Sequence, residues 1–174
     1  QVQAAMGRMF DQATDVLAVA AQAADPANPT GRSLYVTVYD RANSRSQRVL
    51  VMDVEVVPLP TSVLMADFTG DGYDDLAVSF NQGSSDAAAG FATIVTAADP
   101  QNWAAGLVVG QLYFDQPIQV TAFGGMTAAD VEGDGQLEIV ATRINTFTAN
   151  GPQIVVLSVD PKTLTITQAA ATDL

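Results

Sequence analysis

Apolar residues in this chain come in short runs, each closed by a cluster of Gly, Pro, Asn, Asp or Ser. The runs cover residues 16–20, 34–39, 48–57, 62–66, 76–80, 91–96, 107–114, 118–123, 139–142, 153–159 and 164–167. Turn-rich segments at 25–31, 81–86 and 149–152 punctuate them. Short strands with such punctuation predict an all-β fold, either a propeller or a sandwich. Residues 12–23 compete with this reading, because they are rich in Ala, the best helix former. Yet Val16-Leu-Ala-Val-Ala20 lines up with Leu76-Ala-Val78 at an offset near sixty, and with Ile139-Val-Ala141 beyond it. A repeat register outweighs intrinsic propensity and predicts a strand there too.

The strands at 76–80 and 139–142 each follow a short acidic loop. The loops are Asp67-Phe-Thr-Gly-Asp-Gly-Tyr-Asp-Asp75 and, 63 residues on, Asp130-Val-Glu-Gly-Asp-Gly-Gln-Leu-Glu138. Each places oxygen-bearing side chains at relative positions 1, 3, 5 and 9: Asp67, Thr69, Asp71 and Asp75 in the first, Asp130, Glu132, Asp134 and Glu138 in the second. A hard cation of calcium's size takes six to eight oxygens in irregular geometry, so alternate side chains converging from a tight loop suit it. Gly72 and Gly135, at position 6, permit the sharp turn that a Cβ would resist. Tyr73 and Gln136, at position 7, would add backbone carbonyls. An EF-hand is excluded, because position 12 is Val78 in one loop and Ala141 in the other, and the loops lead into strands. Turn chemistry alone explains a single Gly-Asp-Gly. The same ligand pattern twice, with the same downstream strand, favours two calcium sites.

Here the resemblance becomes specific. Asp-x-x-Gly-Asp-Gly-x-x-Asp/Glu followed by Leu or Ile, recurring at about sixty residues, resembles the FG-GAP/VCBS repeat that builds blades in integrin-α-like β-propellers. Phe123-Gly124, before the second loop, resembles that family's Phe-Gly signature, whereas a Gly-Ala-Pro element is absent after both strands. The resemblance implies propeller-type blades, about three in this chain, with approximate repeats at 1–60 (degenerate), 61–123 and 124–174. It carries over the two ligand sets and nothing catalytic. In the first repeat Asp11 and Asp15 have the separation of positions 5 and 9, but Gly7, Met9 and Gln12 fill positions 1, 3 and 6, so no calcium is expected there. Propellers close with four to eight blades, so the remaining blades are expected from a larger propeller, further copies or another chain.

Composition narrows the function. With 48% hydrophobic and 15% charged residues, the 174-residue chain suits one compact domain. No apolar stretch is long enough to span a bilayer, which argues against membrane insertion. The start lacks both an initiator Met and signal-peptide character, as expected of a processed or excised piece. Net charge is −12 with seven Lys and Arg and no His, which argues against nucleic acid as a partner. Arg32, Arg41, Arg45 and Arg48 are expected around one solvated polar turn. Without Cys or His, disulfides, thiol catalysis, Cys-based zinc sites and Ser-His or Cys-His nucleophiles are ruled out. The clustered carboxylates read as metal ligands before they read as glycosidase pairs.

The expectation is therefore a non-enzymatic calcium-binding scaffold, extracellular or at the cell surface, for adhesion or protein recognition. Its partner would be a protein or glycan ligand, or the remaining blades. A carbohydrate-binding or accessory module of a secreted hydrolase is the alternative, with Trp103 and Tyr113 as a candidate sugar platform, although packing between blades is the favoured role for the lone Trp; a metal-dependent enzyme is the third reading.

Overall fold

A computed structural model of the chain describes residues 2–11, 14–24, 32–54, 58–82, 89–114, 121–145 and 152–173. These residues form three antiparallel sheets in chain order. The first contains β1 (Val2–Asp11), β2 (Thr14–Ala24), β3 (Arg32–Asp40) and β4 (Arg45–Val54). The second contains β5 (Pro58–Ala66), β6 (Asp75–Gln82), β7 (Ala89–Ala97), β8 (Leu107–Val109) and β9 (Tyr113–Phe114). The third contains β10 (Thr121–Ala129), β11 (Glu138–Asn145), β12 (Gln153–Asp160) and β13 (Thr165–Asp173). Each sheet is an up-and-down meander, and the first strands β1, β5 and β10 lie side by side from sheet to sheet. The fold is all-β with propeller-like blades, as the run pattern predicts.

The alternating burial of β2 and β3 explains their apolar periodicity. Val16, Ala18 and Ala20 of β2 and Leu34, Val36 and Val38 of β3 point toward the second sheet and join Leu76, Val78, Phe80 and Val95 in one core. Phe80 and Phe91 stack there with ring centroids 5.2 Å apart. On the other face of the second sheet, Ala77, Ala92 and Ile94 meet Phe123, Ile139, Ala141, Val155 and Leu157 of the third. Strand β6 is thus covered on both sides, so residues 76–80 read as an unbroken apolar run instead of alternating. The strand expected within 12–23 is β2, and burial of its alternate residues overrides the helix propensity of Ala.

The register of the first repeat differs from the offset of sixty. Val16 faces the following sheet, whereas Leu76, sixty residues on, faces the preceding one, and Ala77 faces the following sheet. A one-residue slip exchanges the two faces of a strand, so Val16 corresponds in packing to Ala77.

The structure corrects three further expectations. Strand β1 is not foreshadowed by any apolar run, because Gln3, Gly7 and Arg8 interrupt its apolar residues. Run 107–114 breaks into β8 and β9, both paired with β7. The four arginines do not share one solvated turn. Arg32 lies in β3 and Arg45 and Arg48 in β4, leaving Arg41 in the hairpin. Arg45 bonds the buried Asp40 at 2.8 Å and covers the Trp103 ring at 4.3 Å, while Arg48 sits 3.7 Å over Tyr35. Residues 12–13, 25–31, 55–57, 83–86, 118–120 and 149–151 of the expected runs and turns lie outside the described residues.

The first strand of each sheet carries a bulge, between Gly7 and Asp11, Pro60 and Ser62, and Phe123 and Met126. Pro58 and Pro60 are tolerated in β5 because it is an outermost strand and is bulged there. In β10, Phe123 is buried between sheets, and a Cβ on Gly124 would lie 2.5 Å from Thr142 Oγ1. The Phe-Gly pair therefore supplies one core anchor and one close approach.

Candidate metal loops

The two acidic loops occupy the same place in their sheets, joining β5 to β6 and β10 to β11. Their backbones are held in the same way. The Asp67 carboxylate accepts the N–H groups of Gly70, Asp71 and Gly72 at 2.7, 3.1 and 2.9 Å. The Asp130 carboxylate accepts those of Gly133, Asp134 and Gly135 at 2.6, 3.1 and 3.0 Å. Asp71 and Asp134 each accept the N–H two residues on, from Tyr73 and Gln136, at 2.9 Å. The glycines at positions 4 and 6 all have positive φ: 72° and 88° at Gly70 and Gly72, 75° and 89° at Gly133 and Gly135. The pattern of position 6 was legible in the sequence. The same demand at position 4 was not drawn from it.

The ninth residue closes each loop from below. Asp75 is buried and accepts the N–H groups of Phe68 and Thr69 at 3.0 and 2.9 Å, and the buried Glu138 accepts that of Val131 at 2.7 Å. Burial is the largest influence on Asp75 and pushes its pKa up to about 6, against the lowering effect of hydrogen bonding from Thr96 and Thr69. The Thr69 hydroxyl is near enough to contribute to that lowering, yet Thr69 Oγ1 is itself buried without a well-formed hydrogen bond. The Thr69 oxygen is thus an electron-rich group short of a partner, beside a buried carboxylate in an acidic loop. That is the condition a cation relieves.

The donor set suits a hard ion. Carboxylates, a hydroxyl and loop carbonyls are oxygen ligands, and no nitrogen or sulfur ligand is available from His or Cys. Among the described residues no three carboxylate side chains converge as a metal cluster, because those of Asp67, Asp71, Asp130 and Asp134 are turned onto loop N–H groups. Glu132 stands exposed. Gln136 sends its side-chain amide to the Val159 carbonyl, tying the second loop to β12. In the degenerate first repeat, Gly7 and Met9 lie inside β1 and Met9 is fully buried, so β1 and β2 are joined without a comparable loop.

Two ties escaped the sequence reading. Asp74 accepts the Arg8 N–H at 2.7 Å and returns its own N–H to the Arg8 carbonyl at 3.1 Å, locking the first loop to β1. The hairpins after β3 and β12 share an Asp that caps the turn: Asp40 accepts from Asn43, and Asp160 from Lys162 and Thr163. The signal was present as Asp followed by four turn residues at 40–45 and 160–165. Hydrogen bonds from Lys162 and Thr163 hold the Asp160 carboxyl below the usual range.

The aromatic residues do not form a shared platform. Trp103 packs against Phe10 at 4.4 Å between the first and second sheets, whereas Tyr113 packs near Phe123 at 6.3 Å between the second and third. They lie on opposite faces of the second sheet, which removes the geometric basis of the sugar-platform reading. The first loop also borders a cavity of about 280 Å³, with Thr69 and Asp71 on one side and Lys162 of the third-sheet hairpin on another.

Residues 59–95, which span β5, the first loop, β6 and most of β7, match the FG-GAP repeat family model. That family is a non-catalytic repeat of β-propeller type, and the other two sheets share the meander of the matched one. No curated protein and no solved structure matches the chain. Among the described residues no helix is long and apolar enough to cross a membrane.

Proposed function

We propose that this chain is a calcium-stabilised segment of a β-propeller that acts as a non-catalytic scaffold for adhesion or protein recognition. One observation carries the reading: two loops with nearly the same ligand chemistry have the same internal hydrogen bonding, down to a first carboxylate accepting three successive N–H groups. A turn needs only part of that machinery. The carboxylates at positions 5 and 9 also hold loop N–H groups, and a cation would offset the repulsion of so many acids in one short loop.

In the first loop Asp67, Thr69, Asp71, Asp75 and the Tyr73 carbonyl would hold the ion; in the second Asp130, Glu132, Asp134, Glu138 and the Gln136 carbonyl would. The ion would supply charge neutralisation and rigidity. An extracellular or cell-surface setting fits this role, because loops of moderate affinity fill where calcium is millimolar, and a chain without cysteine has no disulfide to serve instead. The ligand would be a protein or glycan, engaged together with neighbouring blades.

Titration calorimetry with calcium on the chelator-treated chain tests the reading. Two binding events and a higher melting temperature are expected. No heat and no melting shift would remove calcium from the proposal and leave the loops as turns.

A further inference from the structure

The turn that one sheet presents to the sheet before it occurs twice in this chain, and the second copy carries Lys162. The chain leaves β7 through Asp99-Pro-Gln-Asn-Trp103 and, 61 residues on, leaves β12 through Asp160-Pro-Lys-Thr-Leu164. Both turns are capped alike: Asp99 accepts the Gln101 N–H at 3.0 Å, and Asp160 that of Lys162 at 2.8 Å. In each, the second, third and fifth residues line a cavity against the preceding sheet. Pro100, Gln101 and Trp103 line one of about 310 Å³ together with Phe10 of β1, and Pro161, Lys162 and Leu164 line the one of about 280 Å³ shared with Thr69 and Asp71. The two turns are equivalent parts of successive blades.

What the turn brings to the seam changes with what it faces. At the same offset of 61, Phe10 stands where Asp71 stands. Toward Phe10 the earlier turn sets the neutral Gln101 and the Trp103 ring, whose centroid is 4.4 Å from that of Phe10. Toward Thr69 and Asp71 the later turn sets Lys162, the one lysine of the chain. Asp71 and Lys162 are the charged residues of that cavity wall, which takes no residue from the second loop. Among the described residues no ion pair closes on the Lys162 ammonium. Its charge also acts on Asp160 beside it, but that carboxylate is already capped by the N–H groups of Lys162 and Thr163. A single cation is thus kept across a small cavity from the acidic loop and its unpartnered Thr69 oxygen.

We infer that Lys162 is a tethered counter-charge for the first loop, supplied by the following sheet. It offsets the loop acids in the metal-free chain and opposes entry of a divalent cation. Calcium affinity at the first loop is then set in part by the seam between the second and third sheets. A cavity of about 280 Å³ is roughly 8 Å across, and at that separation in water a single positive charge weakens a divalent ion's binding about two- to fivefold, most at low salt. The inference rests on the calcium reading of the first loop.

Calorimetry with calcium on the full chain carrying Asp134→Ala, which leaves the first loop as the site, tests it. Adding Lys162→Gln should raise the affinity by that factor, and the gain should shrink as salt rises. Lys162→Arg keeps the charge and should leave the affinity unchanged. In a chain carrying Asp71→Ala, which reports the second loop, Lys162→Gln should have a smaller effect. In excess chelator, Lys162→Gln alone should lower the melting temperature of the chain and Lys162→Arg should not. Opposite signs in the two measurements separate a counter-charge from a packing role, which would weaken both. An unchanged affinity at the first loop, a gain as large at the second, or a Lys162→Arg variant that behaves like Lys162→Gln would overturn the inference. A wild-type chain that binds no calcium would remove the calcium reading and this inference with it, whereas calcium binding indifferent to Lys162→Gln would remove this inference alone.

Discussion

Asp75 gives the sharpest test of how the first loop is coupled to the fold. Its carboxyl is buried beneath the loop and its pKa stands at about 6 against an ordinary 3.8. The perturbation is acidification of the metal-free chain. A carboxyl whose folded pKa is raised costs stability above that pKa, because the folded state must hold a buried charge that the unfolded chain leaves in water. The cost fades as pH falls through 6 and is gone below 3.8, the reverse of an ion-paired carboxylate. The shift corresponds to about 3 kcal/mol at neutral pH, of which about 1.4 kcal/mol is recovered by pH 5. For a chain of this size that is a rise in melting temperature of roughly 3–6 °C.

The assay is thermal melting in excess chelator at pH 7 and pH 5, for wild type and Asp75→Asn. The Asn oxygen can still accept the Phe68 and Thr69 N–H groups, so the variant isolates the charge. Wild type should gain on the variant as pH falls. With calcium bound, the carboxylate is stabilised by the ion and protons compete with it, so the wild-type melting temperature should fall over the same interval. A wild-type minus variant difference that is flat in chelator between pH 7 and pH 5 would refute the argument, since burial would then not be loading the carboxylate.

Other predictions follow from the same contacts. Asp71→Ala and Asp134→Ala should each reduce calcium stoichiometry from two to one by calorimetry, each removing a central carboxylate from its own loop. Gly124→Ala should destabilise the fold by about 1–3 kcal/mol in denaturant unfolding, and Thr142→Ala should rescue it by removing the atom 2.5 Å from the new Cβ. Phe80→Ala, which empties a fully buried site in the first core, should cost about 3–5 kcal/mol.

The sequence reading reached the class of fold and the place of the loops because both rest on local signals. Runs of apolar residues and Asp-Gly turns are visible one segment at a time. What it missed depends on partners distant in the chain. Strand β1 has its apolar residues interrupted by Gln3, Gly7 and Arg8, and its pairing with β2 and contact with β5 make it a strand. Asp74, a spare acid by the ligand count, reaches 66 residues back to Arg8. Trp103 and Tyr113 are ten positions apart yet belong to different cores, because β7, β8 and the short turn at Trp103–Ala105 carry the chain around the edge of the second sheet. The apolar run begins only at residue 62, whereas β5 begins at Pro58, because a bulged, outermost strand accommodates Pro58 and Pro60.

The two loops are alike in chemistry but not in what they join. The first is a joint among all three sheets. Its Asp74 clasps β1 of the first sheet, its Asp75 begins β6 of the second, and Phe68 is buried in the core shared with the third. Ordering this loop orders the seams on both sides, so an ion bound there would stabilise contacts far beyond its own ligands. The second loop reaches back through Leu137 to the core between the second and third sheets, whereas Val131, at the position of Phe68, is exposed. Free energy from an ion bound at the second loop would therefore act on one seam of the described sheets. An ion at the first loop would act on two seams at once, and its removal should loosen contacts of all three sheets.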